Sequence, residues 1–197
     1  MDNMVGIVLA GGRSTRFGTD KARVVVGAET VVERLLRLLA EMGCERAVVG
    51  GEQPLPPEVP RVADLEPGGG PLQALAAAGA AWPGAHLLVL ACDLPLLDAA
   101  LLAWLSRPLP AGIEARVPRL GGFAQPLAAL YAPAAMAAFV RAHAAGERVV
   151  LGVLAGLAVE WADEAVLASA GLDARRFSDF DTRQQLRALG GGKPFPP

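Results

Sequence analysis

Residues 4–21 read Met4-Val5-Gly6-Ile7-Val8-Leu9-Ala10-Gly11-Gly12-Arg13-Ser14-Thr15-Arg16-Phe17-Gly18-Thr19-Asp20-Lys21. Met4–Leu9 is a short apolar run that ends at Ala10-Gly11-Gly12. With no polar alternation, it predicts a strand covered on both faces, as in a parallel sheet. The loop that follows is polar. Gly11 and Gly12 let the backbone approach a ligand without a Cβ clash and turn N–H groups toward it. Arg13, Arg16 and Lys21 bring three cations within nine residues. A guanidinium grips phosphate oxygens in a bidentate way, and a lysine adds a mobile point charge, which Asp20 can orient. The loop is neither GxxxxGK[ST] nor GxGxxG. Its ingredients still predict an anion site directly after a buried strand. The plainer reading is a solvated glycine turn with surface cations.

Outward from this stretch, strands and helices alternate. Thr30–Met42 carries apolar residues close to helical spacing, with Thr30 and Glu33 as a capping box and Gly43 as a stop. Strands are predicted at 46–49 and 61–63, a helix at 72–81, and a continuous apolar strand at 87–91. Asp98 is placed to cap a helix ending near Ser106. Further strands are expected at 115–118 and 126–131 around a Gly-Gly-Phe turn. Pro133 opens a helix to about His143, followed by a helical turn at 151–155, a late strand at 157–161 and a helix at 182–189. This order predicts a three-layer α/β fold with a mostly parallel sheet. Ligands in such folds bind beyond the C-terminal ends of the strands.

Composition narrows the field. The chain has 197 residues, 53% hydrophobic and 19% charged, with 18 basic and 20 acidic side chains. That suits one folded domain and excludes disorder. A net charge of −2 gives no global field for nucleic acid. Two cysteines, Cys44 and Cys92, without a CxxC spacing exclude a disulfide scaffold or zinc ribbon, and a reducing, cytoplasmic setting is expected. No secretory signal is evident in the first residues. The stretches 67–92 and 120–140 lack Asp, Glu, Lys and Arg, but each is interrupted by Gly and Pro. Each reads as a helix and a buried strand joined by a turn, and no membrane span is expected.

Asp93 follows Leu87–Cys92 and so leaves the C-terminal end of a central strand, on the same edge as the glycine loop. A carboxylate there, near a polyphosphate, is a natural Mg²⁺ ligand, because Mg²⁺ takes one or two protein carboxylates plus phosphate oxygens and water. A turn or capping aspartate is the alternative. Asp64 opens another glycine-rich loop, Leu65–Leu72, able to hold a base or ribose edge or to serve as a plain connection. In Arg176–Thr182, Asp179 and Asp181 lie two apart, and a second metal ligand or a helix cap fits equally. His86 and His143 read as isolated, Trp82, Trp104 and Trp161 as packing, and Ser14 lacks a nucleophile-elbow context.

The motifs resemble a known family. Leu9–Ala22 resembles the signature LAGGxSxRMGxDKA of Rossmann-like nucleotidyltransferases, above all the molybdenum cofactor guanylyltransferases. Gly70–Leu75 resembles that family's GPLAGL, Ala91–Leu97 its PCDxPxL, and Gln125–Tyr131 its HPxxALY; Phe177–Thr182 stands where it often has FxNINTP. The resemblance covers about residues 5–190. It implies one nucleotidyltransferase domain over 1–190, with 191–197 a loose tail. It also implies that Leu9, Ala10, Gly11 and Gly12 hold the nucleotide, Lys21 and Arg16 meet its phosphates, Asp64 contacts the guanosine and Asp93 binds Mg²⁺. The implied reaction joins GTP to a molybdopterin-type cofactor and releases pyrophosphate, with transient contact to molybdoenzyme maturation proteins and no nucleic-acid or membrane partner. Gly11 in place of the alanine usual in CTP-using relatives favours GTP. The chain departs from the family at Gly50-Gly51, where an Asn is common, and at Asp179, Asp181 and Arg183. Two other readings remain: transfer from CTP or to another small phosphate, and a nucleotide-binding module without turnover.

Overall fold

The computed structural model describes residues 3–11, 24–26, 28–66 and 68–180. Strand β1 (Met4–Leu9) is followed by a small hairpin, β2 (Val25–Val26) and β3 (Glu29–Thr30), and by helix α1 (Val31–Glu41). Then come β4 (Glu45–Val49), β5 (Arg61–Val62), α2 (Gly70–Ala81), β6 (His86–Ala91) and α3 (Ala99–Leu105). The second half contributes β7 (Ala115–Leu120), β8 (Phe123–Ala124), β9 (Ala128–Tyr131), α4 (Pro133–Ala144), α5 (Val150–Leu154), β10 (Val159–Ala162) and α6 (Glu164–Ser169). The helix expected at 182–189 and the tail lie outside the described residues.

The main sheet has the order β10-β7-β9-β6-β1-β4-β5. Every pairing along it is parallel except the two made by β9, so the sheet is mixed and mostly parallel. Parallel neighbours need a crossover, and α1 supplies it between β1 and β4. The strand side chains alternate between two cores. Val8, Val48, Leu88 and Leu90 pack with α1, α3 and α6 on one face. Val5, Ile7, Leu87 and Val89 pack with α2, α4 and α5 on the other. Helices on both faces complete the three layers, as the α/β reading expected.

Local chemistry explains several boundaries. The Thr30 side chain accepts from Glu33 N, and Glu33 returns the bond to Thr30 N, so α1 starts on a full capping box. It ends at Gly43, whose φ of +70° is open to glycine. Asp98 caps α3 by accepting from Leu101 N at 2.9 Å. Strand β7 runs two residues past the expected end and turns at Gly121-Gly122 into β8. Helix α6 was not expected; Asp163 caps it and Leu167 is buried beneath it. The two charge-free stretches are α2 with β6, and β8, β9 and α4, and no described helix is long and apolar enough to cross a membrane.

Gly6 sets the spacing between β1 and α1. A Cβ there would stand 2.6 Å from Leu39 Cδ1, and Leu39 is fully buried and cannot yield. Gly6→Ala is therefore expected to lower stability by about 1–3 kcal/mol through overpacking, read as a lower urea midpoint at unchanged m-value.

Candidate active site

The C-terminal ends of β1, β4, β5 and β6 share one sheet edge. The last paired residues are Leu9 opposite Val49 and Ala91, and Val49 opposite Val62. Three backbone bonds continue past the strands: Ala10 N donates to Val49 O at 2.9 Å, Cys92 N to Leu9 O at 3.1 Å, and Gly50 N to Val62 O at 2.9 Å. Two residues beyond the Leu9–Ala91 pair stand Gly11 on one strand and Asp93 on the other, with Asp93 half-buried. Neighbouring strands lie about 4.8 Å apart. The edge thus brings Leu9, Ala10, Gly11, Asp64 and Asp93 together. Gly12, Arg13, Arg16 and Lys21 lie outside the described residues. Because the Leu9 carbonyl and Ala10 N–H are taken by the sheet, backbone donors for a ligand can begin only at Gly11.

Asp64 occupies the centre of this edge. A Cβ on Gly11 would meet Asp64 Oδ2 at 2.7 Å, and one on Gly50 would meet both carboxylate oxygens at 2.8 Å and the Gly11 Cα at 2.8 Å. Gly50 and Gly51 take φ of +71° and +69°, which side chains other than glycine rarely adopt. Their place after β4, where the related family often carries Asn, is thus dictated by the close approach of three chain segments. Arg61 holds the turn: its guanidinium donates to Gly50 O and Gly51 O, each at 2.6 Å, and to Gln53 O.

Asp64 is held from the other side by Gln73 of α2, whose Nε2 donates to Oδ1 at 2.8 Å. Sequence reasoning missed both Arg61 and Gln73. Nothing in the pattern around Arg61 marks it, but Gln73 is the one polar side chain of α2, which is a readable signal. His143 is not isolated: Nε2 lies 3.5 Å from Glu66 Oε1, and Arg148 reaches the same oxygen at 3.2 Å. Arg148 thus ties the loop after Asp64 to the turn between α4 and α5. His86 begins β6 at the opposite edge, and burial lowers its pKa. Arg176 donates to the capping carboxylate of Asp98 at 2.7 Å, which brings residues 176–180 alongside the chain that follows Asp93. Asp179 is exposed, and Asp181 lies outside the described residues.

No group of three or more His, Cys, Asp or Glu able to hold a metal occurs among the described residues. A dedicated protein cage is therefore absent there, while a single edge carboxylate such as Asp93 suits Mg²⁺ that also binds phosphate oxygens and water.

Residues 6–169 match the sequence family described as the MobA-like NTP transferase domain. The chain belongs to this family. A probable molybdenum cofactor guanylyltransferase from Opitutus terrae is 41% identical over 74% of this chain and 74% of its own length. Another from Chloroflexus aggregans is 38% identical over 81% of this chain and 79% of its own. A solved structure described as molybdopterin-guanine dinucleotide biosynthesis protein A from Archaeoglobus fulgidus superposes with a TM-score of 0.78 over 94% of this chain and 96% of that one. At 24% identity it speaks to the fold, which is the MobA-like one.

The steric reading of Gly50 is testable. Gly43 has nearly the same positive φ, +70°, but no atom within 4 Å of a built Cβ. Both Gly→Ala changes are expected to incur about 1 kcal/mol of backbone strain. Gly50→Ala adds the collision with Asp64 and Gly11, for a total loss of about 2–4 kcal/mol. Paired urea unfolding of the two variants measures the difference.

Proposed function

We propose that the chain transfers GMP from GTP to the terminal phosphate of a molybdopterin-type cofactor, forming the guanine dinucleotide cofactor and pyrophosphate. The observation that carries the proposal is the 41% identity to the probable molybdenum cofactor guanylyltransferase of Opitutus terrae over 74% of both chains. The edge chemistry agrees: a glycine turn and two carboxylates at the strand ends suit a nucleotide whose base, sugar and phosphates need different partners.

In this reading the nucleotide runs along the edge from Asp64 to Asp93. Leu9, Ala10 and Gly11 form its floor, and Gly11 and Gly12 present backbone N–H groups. Asp64 accepts hydrogen bonds from the guanosine. Arg16 and Lys21 meet the phosphates. Asp93 would hold Mg²⁺, which when bound would supply charge neutralisation for the α-phosphate and the departing pyrophosphate. The acceptor phosphate is already anionic at neutral pH, so the chain needs no general base. An acceptor oxygen bonds to the α-phosphorus as the bond to the bridging β-oxygen breaks. The protein's share is alignment and charge compensation by prepositioned groups. The reaction is cytoplasmic in this reading, and transient contact with molybdoenzyme maturation proteins serves delivery of the product.

Pyrophosphate release with molybdopterin, Mg²⁺ and each of GTP, CTP, ATP and UTP tests the proposal. GTP is expected to be preferred, and a preference for CTP overturns the choice of nucleotide. Asp93→Ala and Lys21→Ala are each expected to lower turnover by about 10³-fold or more, with a thermal unfolding midpoint close to that of the parent. Near-normal Mg²⁺-dependent turnover in Asp93→Ala would remove the metal from that carboxylate.

A further inference from the structure

Gln73 is 4% exposed and sits in the first turns of α2, among Leu72, Ala74 and Leu75. Burying an amide is unfavourable unless its hydrogen-bonding groups are used. Here they are directed at one loop. Oε1 accepts from Leu65 N at 2.8 Å and from Glu66 N at 3.4 Å, while Nε2 donates to Asp64 Oδ1 at 2.8 Å. The partners fix which end of the amide is which: backbone N–H groups require the oxygen, and the carboxylate requires the NH₂. The family pattern that this motif resembles, Gly-Pro-Leu-Ala-Gly-Leu, has alanine at this position.

We infer that Gln73 is a positioning residue for the nucleoside, holding the Asp64 carboxylate against Gly11 and Gly50 so that its second oxygen is presented as an acceptor. A carboxylate rotates freely about its last torsion when nothing restrains it. Gln73 anchors Oδ1, and the crowding of Gly11 and Gly50 against the carboxylate restricts its rotation. Oδ2 then faces the strand edge in one orientation. A nucleoside offers it O–H donors on the ribose or N–H donors on guanine. This rests on the nucleotide reading above and adds a residue that acts through Asp64, without touching the substrate.

Three variants of the full chain separate this role from plain stability. Gln73→Glu keeps an oxygen for Leu65 N and Glu66 N but replaces the donor to Asp64 with a second acceptor. Gln73→Met fills the space and removes both. Gln73→Met in an Asp64→Ala background asks whether the effect passes through Asp64. KM for GTP and for molybdopterin are measured by pyrophosphate release, and the GTP dissociation constant by calorimetry. Both single variants are expected to raise KM and Kd for GTP by about tenfold or more, with KM for molybdopterin changed by less than about twofold. In the Asp64→Ala background, Gln73→Met is expected to add nothing further. Parent-like GTP binding in Gln73→Glu and Gln73→Met overturns the inference. So does a joint rise in both KM values, or a full additional loss in the Asp64→Ala background. If the parent chain binds GTP but releases no pyrophosphate, the proposed reaction fails while the calorimetric series still decides the role of Gln73.

Discussion

A carboxylate laid against two glycine Cα atoms is the constraint on which this edge of the molecule depends. Asp64 can rest where it does only because Gly11 and Gly50 lack side chains. The chain leaving β4 takes a left-handed turn at Gly50 and Gly51, and the turn exposes carbonyls that need donors. Arg61 supplies them from the adjacent strand. Gln73 supplies the remaining restraint from the helix that follows. The positions of the three strand ends are therefore mutually determined, and no one of them can shift without disturbing the others.

Charge makes the same edge demanding. It gathers two carboxylates, and the nucleotide it is proposed to bind carries several negative charges of its own. The chain as a whole is close to neutral, with 18 basic and 20 acidic residues, so no long-range field offsets this. Compensation has to be local. Arg16 and Lys21, which follow β1 in the sequence, and a divalent ion at Asp93 would provide it in the proposed reading. Asp64, at the β5 end, has the Gln73 amide as its partner, and the proposed reading adds the donors of a nucleoside.

The architecture was legible in the sequence where a pattern has one physical solution. The unbroken apolar runs 4–9 and 87–91 could only be strands covered twice, and the Thr30–Glu33 pair could only begin a helix. The place of Asp64 and Asp93 at the sheet edge was legible because each lies two residues past a strand of a mostly parallel sheet. What escaped notice depends on contacts between distant segments. Strand β9 runs antiparallel, which no local pattern announces. Helix α6 is short and exposed apart from Leu167, with too few apolar positions for a period. Arg61 carried no signal beyond its place in a strand, and of the Gly50-Gly51 pair, read as a departure from a family pattern, Gly50 is a steric requirement of Asp64.

The reversal of β9 has an evolutionary consequence. Leu127, just before this strand, accepts from Ala91 N at 2.8 Å, so the chain returns to the rim beside Asp93 after a long excursion. One flank of that rim is written in the first half of the polypeptide and the other flank in the second. The two flanks can accumulate substitutions on separate clocks. A lineage could vary the segment between β7 and β9 while inheriting the β1-to-β6 half intact, which is a route by which one ancestral scaffold diversifies.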